Sequence, residues 1–208
     1  MSITPPLPVP YFWSRPCGAP RAGVVVVMEG NGMGWQLLRV CERLAAEGYL
    51  VIAPDLYHRD ADGAGDFMAA LRGLRAEDGL ADLRACIELL RAQGVARVGI
   101  TGFCMGGTWS YRAAVSGLDV QASAPFYGSG IDRMLSKPAC PLLAFFAGRD
   151  AYVPTAAIEA VRAHHGQDVV VYPEAEHGFM RDGSDSYHDA SARDAWTRLL
   201  SFFSEHLG

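Results

Sequence analysis

Short apolar runs alternate with longer segments of helical period along the whole chain. Residues 23–28 form a continuous, valine-rich run, which is typical of a strand buried on both faces of a sheet. From Trp35 to Glu47 apolar side chains recur at three- and four-residue steps, and Gly48 follows, which predicts a helix ending at that glycine. The same patterns predict further strands at 49–53, 97–101, 120–126, 141–147 and 169–172, and further helices at 66–75, 80–93, 106–115, 155–164 and 187–206.

Strands that alternate with helices in this way indicate βαβ units. We therefore predict the α/β class, with a mostly parallel, doubly wound sheet and helices on both faces. A length of 208 residues, with neither internal repeat nor linker, predicts one domain over residues 1–208. The aromatic residues Tyr11–Trp13, which lie among prolines, fit an antiparallel edge strand or a loop. Residues 60–65 are expected to form a loop, and Gly79 is expected to separate two helices.

Composition narrows the classes of function. The net charge is -5 and no run of Lys and Arg stands out, so we expect no nucleic-acid partner. The longest solid apolar stretch, Ala22–Met28, is far shorter than the ~20 residues that cross a bilayer, so we expect no membrane span. The N-terminus lacks the basic start and apolar core of a secretory signal. Five scattered cysteines without a CxxC pair favour a reducing, cytoplasmic setting over disulfides or a zinc site.

The most informative motif is Gly102-Phe103-Cys104-Met105-Gly106, which lies between a predicted strand and a predicted helix. Its spacing is that of the G-x-S-x-G nucleophile elbow, with cysteine in place of serine. The two glycines lack the Cβ atoms that would collide at so sharp a turn. The turn lifts the thiol above the sheet edge at a helix N-terminus, whose partial positive charge favours the thiolate. Cys104 is therefore predicted to be a nucleophile; in the alternative interpretation it is a small apolar residue in the core.

A nucleophile of this kind needs a base, and the base needs a group that orients it. Asp150 and His177 each follow a predicted strand, so both are expected at the same edge of the sheet as Cys104. The order nucleophile, acid, histidine along the chain is that of the α/β-hydrolase fold, which we therefore predict. In the alternative interpretation, Asp150 caps the helix that begins near Pro154, and His177 is an ordinary loop residue.

The end of the first predicted strand supplies a further carboxylate, Glu29, at the same edge as Cys104. Glycines on its C-terminal side suggest a close approach of the backbone to a ligand, so we place Glu29 in the site; otherwise it caps the turn. The backbone N–H groups of Gly30 and Met105 are expected to form an oxyanion hole. The sequence contains no His-x-His or His-x-x-x-His pair, and we predict neither a metal nor a cofactor.

Four segments together resemble the dienelactone hydrolase family: Glu29, the elbow at 102–107, Gly148-Arg149-Asp150 and Glu176-His177-Gly178-Phe179. The likeness extends from about Val24 to the C-terminus. The family is an α/β-hydrolase branch whose Cys–His–Asp triad opens enol-lactones in chlorocatechol breakdown. The resemblance implies Cys104 as nucleophile, His177 as base and Asp150 as its orienter. It also implies that Glu29 partners the resting thiol and helps to produce the thiolate when substrate binds.

The resemblance also implies residues that bind the substrate. Arg181 matches a family arginine that holds the substrate carboxylate; alternatively it forms a surface ion pair with Asp182 or Asp185. Tyr57, at the end of a Pro-Asp-Leu-Tyr segment, is expected to contact the substrate. In the family a second arginine after that segment also grips the carboxylate. Three arginines here are candidates of equal rank for it: Arg59, Arg72 and Arg75.

We therefore predict a cofactor-independent hydrolase of a carboxylic ester or lactone that acts through a thioester intermediate. Its partner is a small-molecule substrate, and the chain is expected to be a monomer or a dimer. A hypothesis from another class is a redox or deglycation-type protein with a Glu–Cys site, which predicts easy oxidation of Cys104. A glutamine amidotransferase is disfavoured because Phe179 stands two residues after His177, where that class has glutamate. The complete triad argues against a ligand-binding relative with a decayed site.

Overall fold

The computed structural model describes residues 8–59 and 67–208. Its strands are β1 (Tyr11–Ser14), β2 (Ala22–Val27), β3 (Tyr49–Pro54), β4 (Val98–Phe103), β5 (Ala122–Phe126), β6 (Ala144–Ala147) and β7 (Val169–Tyr172). Its helices are α1 (Trp35–Ala46), α2 (Phe67–Gly73), α3 (Ala76–Ala92), α4 (Met105–Val115), α5 (Thr155–His165) and α6 (Asp189–Leu207). Two short 3₁₀ turns lie at Ile131–Arg133 and Gly166–Asp168.

The strands form one seven-stranded sheet in the order β1-β3-β2-β4-β5-β6-β7. Neighbouring strands from β3 to β7 are parallel, whereas β1 pairs with β3 in the antiparallel direction at one edge. The N-terminal aromatic segment is therefore the antiparallel edge strand that its sequence suggested. β2 and β4 are buried along their whole length, as expected for strands covered on both faces.

Helices cover both faces of the sheet. A Cβ added to Gly23 would touch Leu90 of α3 at 3.1 Å, and one added to Gly99 would touch Leu207 of α6 at 2.7 Å. Gly23 pairs with Val98, the neighbour of Gly99, and successive residues of a strand point to opposite faces. Hence α3 and α6 lie on opposite sides of the sheet, and the predicted α/β-hydrolase architecture is confirmed.

The prediction that Gly79 separates two helices is wrong, because Gly79 lies inside α3. A Cβ at this position would lie 2.4 Å from the Trp109 side chain, so the absence of a side chain lets α3 pack against α4. The break falls earlier, between α2 and α3. β6 begins at Ala144 instead of Pro141, since only Leu142 of the preceding residues forms an isolated bridge. The predicted loop at 60–65 lies outside the described residues.

The carboxyl ends of the six parallel strands meet at one edge, and each of them precedes a residue of the candidate site. These residues are Tyr57 after β3, Glu29 after β2, Cys104 after β4, Tyr127 after β5, Asp150 after β6 and His177 after β7. None of the helices in the described part of the chain is long and apolar enough to cross a membrane.

Candidate active site

The turn between β4 and α4 holds Cys104 in a strained conformation, with φ 54° and ψ −117°. Among the residues that the structure describes, only Cys104 and Tyr127 combine a side chain with a positive φ, and both lie at the carboxyl edge of the sheet. The backbone of Cys104 is tied in place, because its N–H donates to the Phe126 carbonyl at 3.1 Å. The thiol is half-buried at the N-terminus of α4, as the motif predicted.

The glycines of the motif are required by close backbone contacts. A Cβ on Gly102 would lie 2.4 Å from the Gly106 carbonyl oxygen, and one on Gly106 would lie 2.1 Å from the carbonyl oxygen of Val27. A Cβ on Gly107 would lie 2.2 Å from the Phe126 carbonyl oxygen. The start of α4 therefore sits against the ends of β2 and β5, and no residue with a side chain fits at these three positions.

The structure brings Asp150 and His177 together. His177 Nδ1 lies 2.8 Å from Asp150 Oδ2 and 3.0 Å from Oδ1, and the Asp150 side chain is fully buried. Oδ1 of Asp150 also accepts the backbone N–H groups of Tyr152 at 2.7 Å and Val153 at 3.0 Å. The two interpretations of Asp150 are therefore compatible, because the same carboxylate caps its own turn and holds the imidazole.

The charge state of His177 follows from its neighbours. Burial alone would lower the pKa of His177, but the hydrogen bond with Asp150 and the interaction with Cys104 outweigh burial and raise the pKa to about 9. The imidazole is therefore protonated at neutral pH, and its cationic form lies beside the thiol. A neighbouring cation stabilises a thiolate, which is the nucleophilic form of cysteine.

Glu29 and Arg181 form a partly buried ion pair at the same edge. Arg181 Nη2 donates to Glu29 Oε2 at 2.9 Å, the Glu29 side chain is 9% exposed and that of Arg181 is 35% exposed. Arg181 is thus not the surface partner of Asp182, whose ion pair at 2.8 Å is with Arg39. Arg181 Nε is buried without a hydrogen-bond partner among the described residues. The expected contact between Glu29 and the resting thiol stays a prediction.

The two expected oxyanion-hole residues lie on neighbouring turns. Met105 is the first residue of α4, where helical N–H groups have no acceptor within the helix. Gly30 lies in a tight turn closed by a hydrogen bond of 3.0 Å from the Gly32 N–H to the Glu29 carbonyl. The Tyr57 hydroxyl donates to the Gly30 carbonyl at 2.9 Å and lies 3.1 Å from Met105 Sδ. One tyrosine therefore touches both turns.

Acidic side chains of α3 engage Arg59 and Arg75. Arg59 makes a two-pronged ion pair with Asp82, at 2.5 and 2.7 Å, and Arg75 pairs with Glu77 and Asp78. A cavity of about 130 Å³ lies between this part of α3, α2 and the turn after β3. Its lining includes Leu56, Tyr57, Arg59, Ala70, Leu74 and Arg75. Since Tyr57 also contacts Gly30, the cavity adjoins the candidate site.

Three residues of this region were not assigned to the site from the sequence. The ring of Tyr127 lies 4.9 Å from that of His177, and the 71% exposed Tyr152 packs against the same imidazole at 4.7 Å. The third residue is Asp82, whose side chain is only 1% exposed. It was detectable, because it lies on the apolar face of α3 with Cys86, where a lone carboxylate needs a partner.

No group of three or more His, Cys, Asp and Glu side chains within residues 8–59 and 67–208 is arranged to hold a metal ion. The polar groups of the site instead pair with one another, as Asp150 does with His177 and Glu29 with Arg181.

Comparison with known proteins places this architecture in a family. The chain matches the dienelactone hydrolase family over residues 10–207. It is 35% identical to a provisionally named carboxymethylenebutenolidase of Salmonella typhi, over 96% of this chain and 84% of that protein. A protein of the same name from Escherichia coli strain K12 is also 35% identical, over 96% of this chain and 83% of that protein.

Two solved structures are similar in fold and in sequence. A provisionally named dienelactone hydrolase from Klebsiella pneumoniae superimposes with a TM-score of 0.84 at 30% identity, over 95% of this chain and 93% of that one. A dienelactone hydrolase-like promiscuous phosphotriesterase from metagenomic libraries gives a TM-score of 0.78 at 25% identity, over 92% and 89% of the two chains.

The parallel sheet, with a strained residue between β4 and α4 at its carboxyl edge, is that of an α/β hydrolase. The family match spans nearly the whole chain, and relatives at 35% identity agree with it. The chain belongs to the dienelactone hydrolase family, as its sequence motifs indicated.

Proposed function

We propose that this ester or lactone hydrolase uses Cys104 as its nucleophile, His177 as its general acid and base, and Asp150 to orient the imidazole. The observation that carries the proposal is the 2.8 Å hydrogen bond between His177 Nδ1 and Asp150 beside the strained Cys104. A nucleophile, a base within reach and a carboxylate that orients the base are what acyl transfer requires.

In the first half of the proposed reaction, the Cys104 thiolate attacks the carbonyl carbon of the substrate. The carbonyl π electrons move to oxygen, and the N–H groups of Gly30 and Met105 stabilise the resulting oxyanion. When the tetrahedral intermediate collapses, the carbon–oxygen bond to the leaving group breaks and a thioester forms. The imidazolium of His177 gives its proton to the departing alkoxide. With a lactone, that alkoxide remains attached to the acyl group on the enzyme.

In the second half, a water molecule hydrolyses the thioester. Neutral His177 accepts a proton from the water, whose oxygen attacks the thioester carbon and forms a second oxyanion in the same hole. The carbon–sulfur bond then breaks, which releases the carboxylic acid and returns Cys104 as a thiolate beside a protonated His177. The raised pKa of His177, about 9, suits this return to the ion pair at neutral pH.

We further propose that the preferred substrate carries a carboxylate near the reacting carbonyl. Arg181 supports this, because its Nε is buried without a partner among the described residues and can still donate a hydrogen bond. The relatives from Salmonella typhi and Escherichia coli are named for action on carboxymethylenebutenolide. Glu29 shares Arg181, so a bound carboxylate competes with Glu29 for the guanidinium.

The test is a substrate panel assayed against the wild-type protein and Cys104→Ala. The panel contains a carboxylated enol-lactone, a neutral enol-lactone of equal size, p-nitrophenyl acetate and a neutral phosphotriester. We expect turnover of the lactones and the acetate, with a loss of several orders of magnitude in Cys104→Ala. Cys140→Ala is the matched control, because burial raises the pKa of that half-buried thiol to about 11. Wild-type rates in Cys104→Ala would overturn the proposal.

The redox or deglycation hypothesis has less support from the structure. It needs no pairing between Asp150 and His177, yet that pairing is formed and shielded from solvent. The two functions are separated by brief treatment with hydrogen peroxide followed by a thiol reductant. A redox function predicts that the protein consumes peroxide catalytically through Cys104 while the reductant is present. The hydrolase predicts no such turnover, and its esterase activity falls when Cys104 is oxidised and returns on reduction.

A further inference from the structure

The backbone of Gly30 is fixed from both sides. The Glu29 carbonyl accepts the Gly32 N–H at 3.0 Å, and the Gly30 carbonyl accepts the Tyr57 hydroxyl at 2.9 Å. The N–H and C=O of a trans peptide point in opposite directions, so the first bond aims the Gly30 N–H away from Gly32. Glycine turns easily about both of its backbone dihedrals, so both peptide planes must be held for that N–H to keep one direction.

The Tyr57 hydroxyl reaches the second turn as well. It lies 3.1 Å from Met105 Sδ, the side chain of the other residue expected to bind the oxyanion. Sulfur is a weak acceptor, so the single hydroxyl proton goes to the Gly30 carbonyl and the sulfur packs against the oxygen. Burial, and then the charge of Cys104, raise the pKa of Tyr57 to about 12. The hydroxyl therefore remains a donor throughout the neutral range.

Tyr57 itself is held by residues on both sides of it. Its backbone N–H donates to Asp55 Oδ1 at 3.0 Å. The next two residues are fastened to Asp82, with His58 Nε2 at 3.1 Å and Arg59 in a two-pronged ion pair. Asp82 lies buried in the long helix α3, so the turn that carries Tyr57 is attached to the body of the fold.

We propose that Tyr57 is a positioning residue, whose hydroxyl holds the Gly30 peptide so that its N–H points at the developing oxyanion. This proposal rests on the proposed function, since an oxyanion forms only in acyl transfer. Tyr57 then acts on the chemical step through Gly30 and Met105, and the sequence-based expectation of direct substrate contact is not needed to explain its hydroxyl.

The first measurement compares Tyr57→Phe with the wild-type protein on the neutral lactone. Removing a whole oxyanion donor lowers kcat by about 10²- to 10³-fold. Here the donor stays but loses its direction, so we expect kcat to fall roughly 10- to 100-fold with KM within about twofold. The matched control is Tyr111→Phe. Tyr111 also lies in α4, and its hydroxyl contacts His165 and Ser136. We expect that variant to keep wild-type kcat.

The second measurement distinguishes a misdirected Gly30 N–H from general disorder of the site. Alkylation of Cys104 by iodoacetamide displaces iodide directly and forms no oxyanion. We therefore expect Tyr57→Phe to keep the wild-type alkylation rate and its pH profile. Both proteins carry Cys17→Ser, because Cys17 is exposed and would react as well.

Two results would overturn the positioning role: an unchanged kcat, with or without a rise in KM, or a loss of alkylation that parallels the loss of kcat. A rise in KM alone assigns Tyr57 to substrate binding, and a parallel loss of alkylation assigns it to general integrity of the site. Failure of the underlying function is recognised separately, because turnover would then be independent of Cys104 in the wild-type background.

Discussion

The guanidinium of Arg181 donates a hydrogen bond of 2.9 Å to the carboxylate of Glu29, which joins the turn after β7 to the turn after β2. Burial lowers the pKa of Arg181, but Glu29, followed by Tyr127 and Cys104, outweighs burial and raises that pKa, so the pair interacts electrostatically with Cys104. This part of the site is therefore electrically balanced only when both side chains are present.

Arg181→Ala is expected to reduce kcat/KM for carboxylated lactones far more than for neutral esters. A hydrogen bond to a charged group contributes about 1.5–3 kcal/mol, so the selective loss is roughly 10- to 150-fold. Arg181→Lys restores the charge without the planar fork of donors and recovers only part of the loss. Steady-state kinetics on the two lactones of the panel measure the effect. Equal losses on charged and neutral substrates would show that Arg181 does not hold the carboxylate.

Glu29→Gln is expected to lower kcat while it preserves the fold. The amide keeps the shape of the side chain but leaves Arg181 as an uncompensated cation near Cys104, where it lowers the reactivity of the thiolate. A loss of about 1.4 kcal/mol in transition-state stabilisation corresponds to roughly 10-fold in kcat. The freed guanidinium binds carboxylates better, so KM for the carboxylated lactone falls. Wild-type kinetics in this variant across the pH range would show that Glu29 has no role beyond the turn in which it lies.

The pH profile reports the hydrogen bond between Asp150 and His177. Because that bond raises the pKa of His177, activity that needs the imidazolium declines as the pH rises through about 9. Asp150→Asn removes the negative charge that stabilises the imidazolium. The pKa of His177 therefore falls, and the alkaline limb of kcat/KM moves to lower pH. The measurement uses a neutral lactone and is corrected for spontaneous hydrolysis. Glu176→Gln, which removes an exposed neighbouring carboxylate, serves as control, and equal shifts in both variants contradict the assignment.

The strained backbone of Cys104 predicts a gain in stability on substitution by glycine. A residue held in a sparsely populated backbone region costs about 1–3 kcal/mol, whereas the added flexibility of glycine costs about 0.5–1 kcal/mol. Cys104→Gly should therefore be more stable than Cys104→Ala by roughly 1 kcal/mol, or about 2–4 °C in Tm for a chain of this size. Both variants lack the thiol, so the difference between their Tm values reports the backbone strain and not the loss of sulfur. A less stable glycine variant would count against strain at this position.

The local pattern of the sequence was sufficient to predict the fold and the position of the elbow. The glycines around Cys104 serve contacts within a short turn, and the strands that precede Asp150 and His177 are continuous apolar runs. Periodicity and spacing along the chain express such features directly. The α/β-hydrolase fold followed from them before any contact was known.

Contacts between distant segments were not visible in the same way. Gly79 was predicted to separate two helices but lies inside α3. Its packing against Trp109 depends on the placement of α4, which the local sequence does not show. Arg181 was predicted to hold the substrate carboxylate, with an ion pair to Asp182 or Asp185 as the alternative. Its partner within the protein is Glu29, which lies 152 residues earlier in the chain. In each case a position close in space and far in sequence decides the outcome, and no local period encodes it.

The distribution of the site over six strand ends has a consequence for folding. Contacts between residues as far apart as Glu29 and Arg181 close only when most of the sheet is already assembled, and such long-range closures slow folding. Recovery of turnover during refolding should therefore follow the recovery of helical signal. Catalytic turnover therefore indicates that the whole sheet has assembled. Neither half of the polypeptide alone can form the complete site.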